Sequence, residues 1–356
     1  MFSVLNLKEE NDCKKYSDVI ETSELLSAYN KIEYLDVFCG GLENLYCFLY
    51  EDGNQIIILP AYIKEIKIFN EPKGVYDFYT PYGYTGPFYS KNIEEKDLQK
   101  FWNFVSEWQK QNNIVSGFVR FNLFNNYAGF PGEVYETMLN IKGAIIEEEE
   151  QWSNFEHKVR KNVKRAIREN LTSKIYYRDI DETIISEFYD IYIGTMKRTN
   201  ATDFFFYSLD SFKNFVFNNK EICAICNIYD EGKTISSELL LISHNSLFSF
   251  LGGTLDTAFD KRPNDFLKYE VINWARQHNF RFYVLGGGYG YEDGIFKYKK
   301  AFFPNDVVKY VTGRVIVNPN LYKDLLHETN EIRQRNGMEI LNEEEETYFP
   351  LYNKQN

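Results

Sequence analysis

The pattern that most constrains this chain is a strand–helix–strand unit that occurs twice, once in each half of the sequence. Its flanking strands are predicted at 74–79, 115–121, 247–252 and 281–285. The intervening helices carry apolar residues at helical spacing, including Phe101 and Trp108 in the first and Leu267 and Trp274 in the second. Such spacing between short apolar strands is typical of a βαβ unit. We therefore predict an α/β (α+β) fold with two similar domains, each a mixed twisted sheet flanked by helices.

Charge marks the boundary between the two halves. An acidic block, Glu147–Glu150, precedes the segment His157–Arg168, which contains six lysines and arginines and no acid. Apolar residues within this segment keep helical spacing, so we predict one amphipathic helix with a wide basic face. The predicted domains are 1–150 and 151–317, followed by a C-terminal helix and tail at 318–356 that packs back on the first domain.

The composition excludes several classes of protein. With 28 Tyr, 30 Phe and 4 Trp, the chain has enough large apolar side chains to offset the entropy that keeps polar sequences disordered. A net charge of −12 argues against a general nucleic-acid coat. The first ten residues contain no secretory signal, and the longest apolar run, Ile56–Ile63, is too short for a transmembrane segment. We therefore expect a cytoplasmic protein.

The cysteines predict neither disulfides nor a metal site. Five cysteines, widely spaced, are too few for a disulfide framework. The one Cys-x-x-Cys pair, Cys223 and Cys226, lies in a predicted strand, where a separation of three puts the two sulfurs on opposite faces. We predict buried structural thiols, no metal and no bound cofactor.

Two glycine-rich loops are candidates for ligand binding. In the first, at 79–88, glycines that permit tight turns alternate with tyrosines that offer stacking surfaces. Its candidate binding residues are Tyr82, Tyr84 and Gly86. A well-packed loop with aromatic corners is the alternative interpretation.

The second loop follows the strand at 281–285 and contains Gly286, Gly287 and Tyr289. It lacks the Gly-x-Gly-x-x-Gly pattern and the P-loop lysine, so a dinucleotide site is not predicted. The loop leads to Lys297, where an ammonium just beyond a strand end can face a site. A solvated lysine is the alternative.

The basic helix and one carboxylate complete the candidates. A face with six bases attracts phosphate, and Arg160 and Lys164 are the residues we select on it; a plain solvated face is the alternative. Hydrolytic triads find little support, since the chain has four histidines and no Gly-x-Ser-x-Gly elbow. Glu238 is a possible inward carboxylate and general base, although an outward strand position is the simpler interpretation.

Taken in order, these motifs resemble the FemABX-like (peptidoglycan bridge-forming aminoacyltransferase) branch of the GNAT acyltransferase superfamily. The similarity extends from about Asp36 to Val317. It is carried by Tyr79–Pro87, Phe118–Phe121, His157–Ala166, Phe250–Gly253, Pro263–Leu267, Leu285–Gly287 and Phe296-Lys297. The resemblance implies tandem GNAT-like domains with a cleft between them. It also implies transfer of an aminoacyl or acyl group to an amine of a cell-wall (peptidoglycan) or surface-glycan precursor.

The resemblance also implies roles for individual residues. Lys297, beside Phe296, is placed to stabilise the anionic tetrahedral intermediate, as a fixed cation does for a developing oxyanion. Tyr207 matches the tyrosine that holds the acceptor, and Arg198 is the nearest base. The implied substrate-binding residues are Tyr82, Tyr84, Gly86, Arg160, Lys164, Arg198, Tyr207, Gly253, Asn264, Gly286, Gly287 and Tyr289.

Two departures from the family pattern leave the donor and acceptor open. Where relatives have Arg-Gly-Pro, this chain has Thr85-Gly86-Pro87, which leaves the acceptor unassigned. The CoA-diphosphate motif that would start at Arg262 has Asp265 and Leu267 at its glycine positions. We therefore favour aminoacyl-tRNA over acyl-CoA as donor.

The expected partners follow from that choice. They are tRNA as donor, a glycan or peptidoglycan precursor as acceptor, and a peripheral contact with a lipid-linked precursor at the membrane. The alternatives are an acyl-CoA-dependent N-acyltransferase of an amino sugar in surface polysaccharide synthesis, and a non-catalytic glycan- or RNA-binding protein with the same fold.

Overall fold

The structure, a computed structural model, describes residues 1–21 and 25–355. The strands are β1 (Phe2–Asn6), β2 (Leu45–Asp52), β3 (Gln55–Ile68), β4 (Glu71–Tyr79), β5 (Phe88–Tyr89), β6 (Ile114–Arg120), β7 (Glu133–Ala144), β8 (Thr172–Tyr177), β9 (Cys223–Asp230), β10 (Lys233–Ser243), β11 (Ser246–Thr254), β12 (Phe282–Gly286) and β13 (Val307–Ile316). The helices are α1 (Glu10–Ile20), α2 (Ile32–Cys39), α3 (Glu95–Gln111), α4 (Glu148–Asn154), α5 (His157–Arg168), α6 (Glu182–Arg198), α7 (Leu209–Asn218), α8 (Pro263–Gln277), α9 (Gly294–Lys300) and α10 (Pro319–Arg335). None of these helices is both long and apolar enough to cross a membrane.

The chain forms two compact units, each made of separate stretches of sequence. Unit 1 consists of Met1–Leu25, Cys39–Thr137 and Tyr310–Asn356, and unit 2 consists of Leu26–Phe38 and Met138–Lys309. The units divide inside β7 and β13, whereas the sequence places domain boundaries after residues 150 and 317. Those boundaries remain a prediction.

The sheet of unit 1 contains the first predicted βαβ unit. Its strand order is β1-β2-β3-β4-β6-β13, and β5 pairs with β3. Strands β4 and β6 are parallel and pair from Tyr76↔Ile114 to Tyr79↔Phe118, with one register shift between Tyr76 and Asp77, and α3 lies between them in the chain. The apolar side of α3, including Phe101, packs into the core of this unit.

The sheet of unit 2 contains the second βαβ unit. Its strand order is β7-β12-β11-β10-β9-β8, with β11 and β12 parallel around α8. The basic helix α5 spans His157–Arg168, as predicted, and buries Val159 and Val163 in the core of this unit. Mixed sheets flanked by helices confirm the predicted fold class.

The Cys-x-x-Cys pair is structural, in agreement with the sequence interpretation. Cys223 and Cys226 lie in β9, both fully buried, and neither forms a disulfide. Burial raises the pKa of the Cys223 thiol to about 12 and that of Cys226 well above its usual value. Both thiols therefore stay protonated and unreactive at physiological pH.

Candidate functional site

A cavity of about 550 Å³ lies in unit 2 where β11 loses its pairing with β12. The parallel ladder joins only Ser246–Phe248 to Phe282–Val284, although β11 continues to Thr254. Residues 249–254 of β11 line the cavity, and α6, β10, α8 and α9 supply most of its remaining walls. We call this space the unit 2 cavity.

A β-bulge shapes the floor of the unit 2 cavity. The register of β10 and β11 shifts between Leu239 and Leu240, which leaves Phe250 as an extra residue on β11. Bulges of this kind bend a strand and redirect its side chains. Glu238 of β10 and Ser249 of β11, on either side of the shift, both line the cavity and are hydrogen-bonded to each other.

Glu238, Ser249, Lys268 and Tyr283 form a buried tetrad at this floor. The Glu238 carboxylate accepts hydrogen bonds from Lys268 Nζ at 2.5 Å, from the Tyr283 hydroxyl at 2.6 Å and from Ser249 Oγ. Lys268 Nζ also donates to Ser249 Oγ at 2.9 Å and to the Tyr283 hydroxyl at 3.1 Å. Each ammonium hydrogen of Lys268 thus has an acceptor. The network connects β10, β11, α8 and β12 and fixes their relative positions. Burial and the adjacent Glu238 raise the pKa of Tyr283 well above its usual value.

Lys299 is the lysine of α9 that faces the unit 2 cavity. Its Nζ donates to the Gly287 carbonyl oxygen at 2.6 Å, its single hydrogen bond within the described part of the chain. Burial, followed by the neighbouring charge of Lys268, lowers its pKa to about 8. A fixed ammonium held by a neutral carbonyl keeps its charge available to a ligand.

The structure places Lys297 and Phe296 elsewhere on the same helix. The Lys297 side chain is exposed and does not line the cavity, and Phe296 is buried in the core of unit 2. Two residues along a helix correspond to a rotation of about 200°, so Lys297 and Lys299 lie on nearly opposite sides. The role implied for Lys297 stays a prediction. The sequence contains the same aromatic–lysine pair again as Tyr298-Lys299, a signal that sequence reasoning missed.

Three predicted binding residues do line the unit 2 cavity: Arg198, Gly253 and Asn264. The Arg198 guanidinium lies 5.0 Å from the Phe259 ring centroid. A Cβ at Gly253 would lie 2.0 Å from Thr195 Oγ1 and 2.8 Å from a backbone oxygen of α6. Glycine is therefore required there for α6 to pack against β11, whatever its role toward substrate.

The predicted loop residues Gly286, Gly287 and Tyr289 belong to a turn that folds around Asp293. The Asp293 carboxylate accepts hydrogen bonds from the backbone N–H groups of Tyr289, Gly290 and Phe296, and these bonds lower its pKa. Gly286 has a positive φ of 73°, and Gly287 supplies the carbonyl that holds Lys299. Tyr289 itself is 78% exposed. The turn thus positions α9.

The remaining predicted residues of unit 2 lie outside the cavity lining. Arg160 folds back on α4 and donates to backbone carbonyls, including that of Ser153 at 2.9 Å. Lys164 Nζ lies 5.9 Å from the Trp152 ring centroid. The Tyr207 hydroxyl is 3.5 Å from the Phe38 carbonyl oxygen, so this ring packs against segment 26–38.

The predicted residues of unit 1 lie in a closely packed loop. Tyr84 makes an edge contact with Tyr310 at 5.7 Å between ring centroids. A Cβ at Gly86 would lie 2.4 Å from Leu59 Cδ1, so a larger residue would have to displace the buried Leu59 side chain. Tyr82 is half-exposed. These contacts favour the structural alternative for Tyr84 and Gly86, whose predicted binding role is still untested.

A second hollow, of about 390 Å³, lies beside the start of α8 and shares a residue with the unit 2 cavity. Lys161, Arg165 and Arg168 of α5 line it with Arg262, and Arg262 also lines the cavity. A 3.1 Å hydrogen bond from Asn162 Nδ2 to Asp265 Oδ1 fixes α5 to α8. We call this space the basic hollow. Three of its four bases, Lys161, Arg165 and Arg168, belong to the helix on which we selected Arg160 and Lys164.

Comparisons with known proteins identify the domain that contains the site. Residues 157–300 match the family described as Acetyltransferase (GNAT) domain, a range that holds all residues of the cavity and hollow. No curated protein matches the sequence.

Solved structures are similar over most of the chain. FemX has a TM-score of 0.62 and 12% identity, covering 87% of this chain and 97% of its own. The C-terminal domain of a putative lysylphosphatidylglycerol synthetase from Agrobacterium fabrum has a TM-score of 0.57 and 13% identity, covering 85% and 91%. L-PGS from Bacillus licheniformis has a TM-score of 0.56 and 13% identity, covering 86% and 92%. These similarities confirm the predicted FemABX-like, GNAT-type fold.

Proposed function

We propose that this chain is an acyltransferase of the GNAT superfamily and that it transfers an aminoacyl group from a tRNA donor to an amine in the unit 2 cavity. The observation that carries the proposal is Lys299. A partly buried ammonium, held by a single carbonyl, faces a cavity inside the acetyltransferase domain.

The chemistry assigned to Lys299 is stabilisation of the tetrahedral intermediate. The acceptor amine attacks the carbonyl carbon of the donor ester, a C–N bond forms, and the carbonyl oxygen becomes an oxyanion. The Lys299 ammonium stabilises this charge better than it stabilises the neutral carbonyl, which lowers the barrier. Collapse breaks the C–O bond to the donor, and the amine proton ends on the released hydroxyl. The products are an amide and free tRNA.

The basic hollow supports a donor that carries phosphates. Its lining has four bases, Lys161, Arg165, Arg168 and Arg262, and one acid, Glu169, which pairs with Arg165 at 3.8 Å. Positive charge is therefore in excess beside the cavity, in a chain whose net charge is −12. Bases grouped in this way attract phosphate. Because Arg262 lines both spaces, a donor phosphate in the hollow leaves the acyl end within reach of the cavity.

Asp265 supports aminoacyl-tRNA over acyl-CoA. This residue takes a glycine position of the CoA-diphosphate motif, and its side chain is 8% exposed at the start of α8. A carboxylate there weakens the attraction of a helix N-terminus for a diphosphate.

The acceptor class rests on the resemblance and on the similar structures. The FemABX-like resemblance points to an amine of a cell-wall or surface-glycan precursor. The similarity to the C-terminal domain of a putative lysylphosphatidylglycerol synthetase is compatible with a lipid-linked precursor reached at the membrane surface. A cytoplasmic location remains part of this proposal.

Purified full-length protein, incubated with labelled aminoacyl-tRNA and amine-bearing glycan precursors, tests the proposal. We expect label in the acceptor, and we expect RNase treatment of the donor to abolish the transfer. A parallel reaction contains labelled acetyl-CoA. Transfer from neither donor to any acceptor, together with saturable acceptor binding, would favour the non-catalytic glycan-binding alternative.

Acyl-CoA is the second candidate donor, favoured by the acetyltransferase description of the matching domain. Its acceptor would be an amino sugar of a surface polysaccharide. Acceptor-dependent release of the CoA thiol, insensitive to RNase, would establish this reaction and exclude the tRNA donor.

The pKa of Lys299 predicts the pH dependence of the reaction. If the ammonium stabilises the oxyanion, kcat falls as pH rises through about 8, where Lys299 loses its proton. Lys299→Arg keeps its charge above this pH, so its kcat should show no such decline. The two proteins are compared with one acceptor, so that titration of the acceptor amine is common to both profiles. A decline of equal size in both would contradict the assignment.

Charge reversal in the basic hollow should weaken donor binding. Lys161 and Arg168 form no ion pair among the described residues, so the double variant Lys161→Glu/Arg168→Glu leaves no orphaned carboxylate. We expect the donor KM to rise about tenfold or more, with a shallower dependence of KM on salt. The control is the double reversal Lys220→Glu/Lys233→Glu, at two exposed lysines outside the hollow that likewise form no ion pair among the described residues. An equal rise in KM in the control would contradict a specific phosphate site.

A further inference from the structure

Unit 1 contains a larger cavity, of about 790 Å³, that the proposed reaction does not use. Its floor is one face of the sheet, and its roof is the C-terminal segment 347–355. We call this space the unit 1 cavity.

The strand register brings the floor residues together. Lys64 of β3 pairs with Asp77 of β4, and Asp77 pairs with Ser116 of β6. Two residues further along these strands, Tyr79 pairs with Phe118, and Phe118 pairs with Arg314 of β13. Alternate residues of a strand share one face, so these side chains lie on a common surface. The floor therefore combines cations, aromatic rings and one buried carboxylate.

Asp77 anchors the roof. Its carboxylate accepts hydrogen bonds from Ser116 Oγ at 2.8 Å, from Asn353 Nδ2 at 2.8 Å and from the Tyr352 hydroxyl. Burial raises its pKa, and these three donors partly oppose that rise. The hydrogen-bonding capacity of the carboxylate is thus used by the protein itself, and no ion pair joins it to Arg120 or Arg314 among the described residues.

Two arginines, Arg120 and Arg314, line the unit 1 cavity, and neither forms a close ion pair with a carboxylate among the residues that the structure describes, although the charge of Glu133 acts on Arg314. The Arg314 guanidinium lies 3.5 Å from the Tyr135 ring centroid, and its terminal nitrogen donates to the Thr347 carbonyl oxygen at 2.8 Å. Burial lowers its pKa, and its Nε is buried with no hydrogen-bond partner. The Arg120 guanidinium lies 4.9 Å from the Phe118 ring centroid and donates to the Thr80 carbonyl oxygen.

Desolvating a cation without a counter-ion is costly, and an adjacent anion recovers part of that cost. The two arginines are close neighbours on the sheet, because Arg314 pairs with Phe118, two residues from Arg120. Exposed Lys64 and Lys67 on β3 add positive charge at the same cavity. The charged residues of the lining are four cations, Lys64, Lys67, Arg120 and Arg314, and two carboxylates, Glu65 and Asp77. Positive charge is therefore in excess here, which favours an anionic ligand.

We propose that the unit 1 cavity binds a small organic anion, with its phosphate or carboxylate between Arg120 and Arg314 and its ring against Phe118 and the tyrosines Tyr79 and Tyr348. Arginine forks match both oxyanions, and aromatic walls suit a flat ring or a sugar face. The volume lies in the range of small-molecule sites. This site is separate from the proposed acyl-transfer reaction.

Titration calorimetry of the full-length protein with phenyl phosphate, benzoate and phenol tests the proposal. We expect saturable binding of at least one of the two anions and none of neutral phenol. The stronger of the two identifies the preferred oxyanion. Arg314→Met should weaken that binding tenfold or more, whereas Arg335→Met on exposed α10 should leave it unchanged.

A second variant and a second readout keep the test decisive if Arg314→Met does not fold. Arg120→Met should weaken binding similarly, and the anion should slow amide hydrogen exchange in segment 347–355 of the wild type. Lys299→Met should bind the anion like the wild type, which separates this site from the proposed reaction. No saturable anion binding by the wild type, equal binding of phenol, or an equal loss in Arg335→Met would overturn the proposal.

Discussion

Replacing Lys299 by methionine is expected to lower kcat by about 100-fold or more, with a small change in KM. Loss of one group that stabilises a developing oxyanion has an effect of this size, because the interaction strengthens in the transition state. Methionine keeps most of the side-chain volume and removes the charge. Because the wild-type ammonium has one hydrogen bond, to the Gly287 carbonyl oxygen, the variant should fold normally. The measurement is steady-state transfer with the donor identified by the RNase experiment.

Lys297→Met is the matched control, since it makes the same substitution two residues away on the exposed side of α9. We expect near wild-type kcat from this variant. The reverse ranking would return the role to Lys297, as the resemblance implies. Wild-type kcat in both variants would exclude a lysine of α9 from the reaction.

Replacing Lys268 by methionine is expected to destabilise the protein by about 3–5 kcal/mol, the cost typical of breaking a buried ion pair. The change leaves Glu238, 5% exposed, without its cation, and two hydroxyl donors alone do not satisfy a buried carboxylate. Urea denaturation followed by circular dichroism measures the free energy of unfolding.

A compensating double variant separates loss of charge balance from loss of packing. Glu238→Gln/Lys268→Met removes both charges, so we expect it to recover much of the stability that Lys268→Met loses. Lys261→Met, which removes an ion pair with Asp230 near the surface, should cost far less than Lys268→Met. If Lys261→Met and Lys268→Met lose equal amounts of unfolding free energy, burial does not determine how much stability is lost when the Glu238–Lys268 pair is broken.

The sequence predicts those parts of the fold that depend on local periodicity. The strands and helices of both βαβ units and the bounds of the basic helix, His157–Arg168, are confirmed because side-chain spacing determines which face is buried. The segment 26–38 was not assigned to unit 2 from sequence. Its position depends on distant partners, such as the 2.8 Å hydrogen bond between Ser243 Oγ and Ser27 Oγ.

The sequence predicts the site less well than the fold, because tertiary packing determines the direction in which each side chain points. Arg160 and Lys164 share a helix with Lys161 and Arg168, and the tertiary packing of α4 and α8 determines which bases face the hollow. The simpler sequence interpretation of Glu238 is an outward position, and the structure corrects it, because Glu238 is buried. Its ion-pair partner Lys268 offsets the cost of burying the carboxylate, and Lys268 lies 30 residues away in the sequence.

Lys268 is not among the residues selected from the sequence, although its spacing along α8 indicates a buried position. It follows Asp265 by three residues and precedes Ile272 by four, on the side of α8 that is buried. A lysine on the apolar side of an amphipathic helix requires a buried partner. A search for a carboxylate in a buried strand would have selected Glu238.

The arrangement of unit 1 determines the order in which the two units can fold on the ribosome. All of unit 2 precedes residue 310, whereas unit 1 needs Tyr310–Asn356, which provide the end of β13 and the roof over Asp77. At roughly 5–20 residues per second, residues 310–356 take a few seconds to synthesise. During that time β6 lacks its partner β13 and leaves an open sheet edge, the kind of surface that pairs with other chains. Slowed translation beyond residue 309 should therefore increase aggregation of the nascent chain.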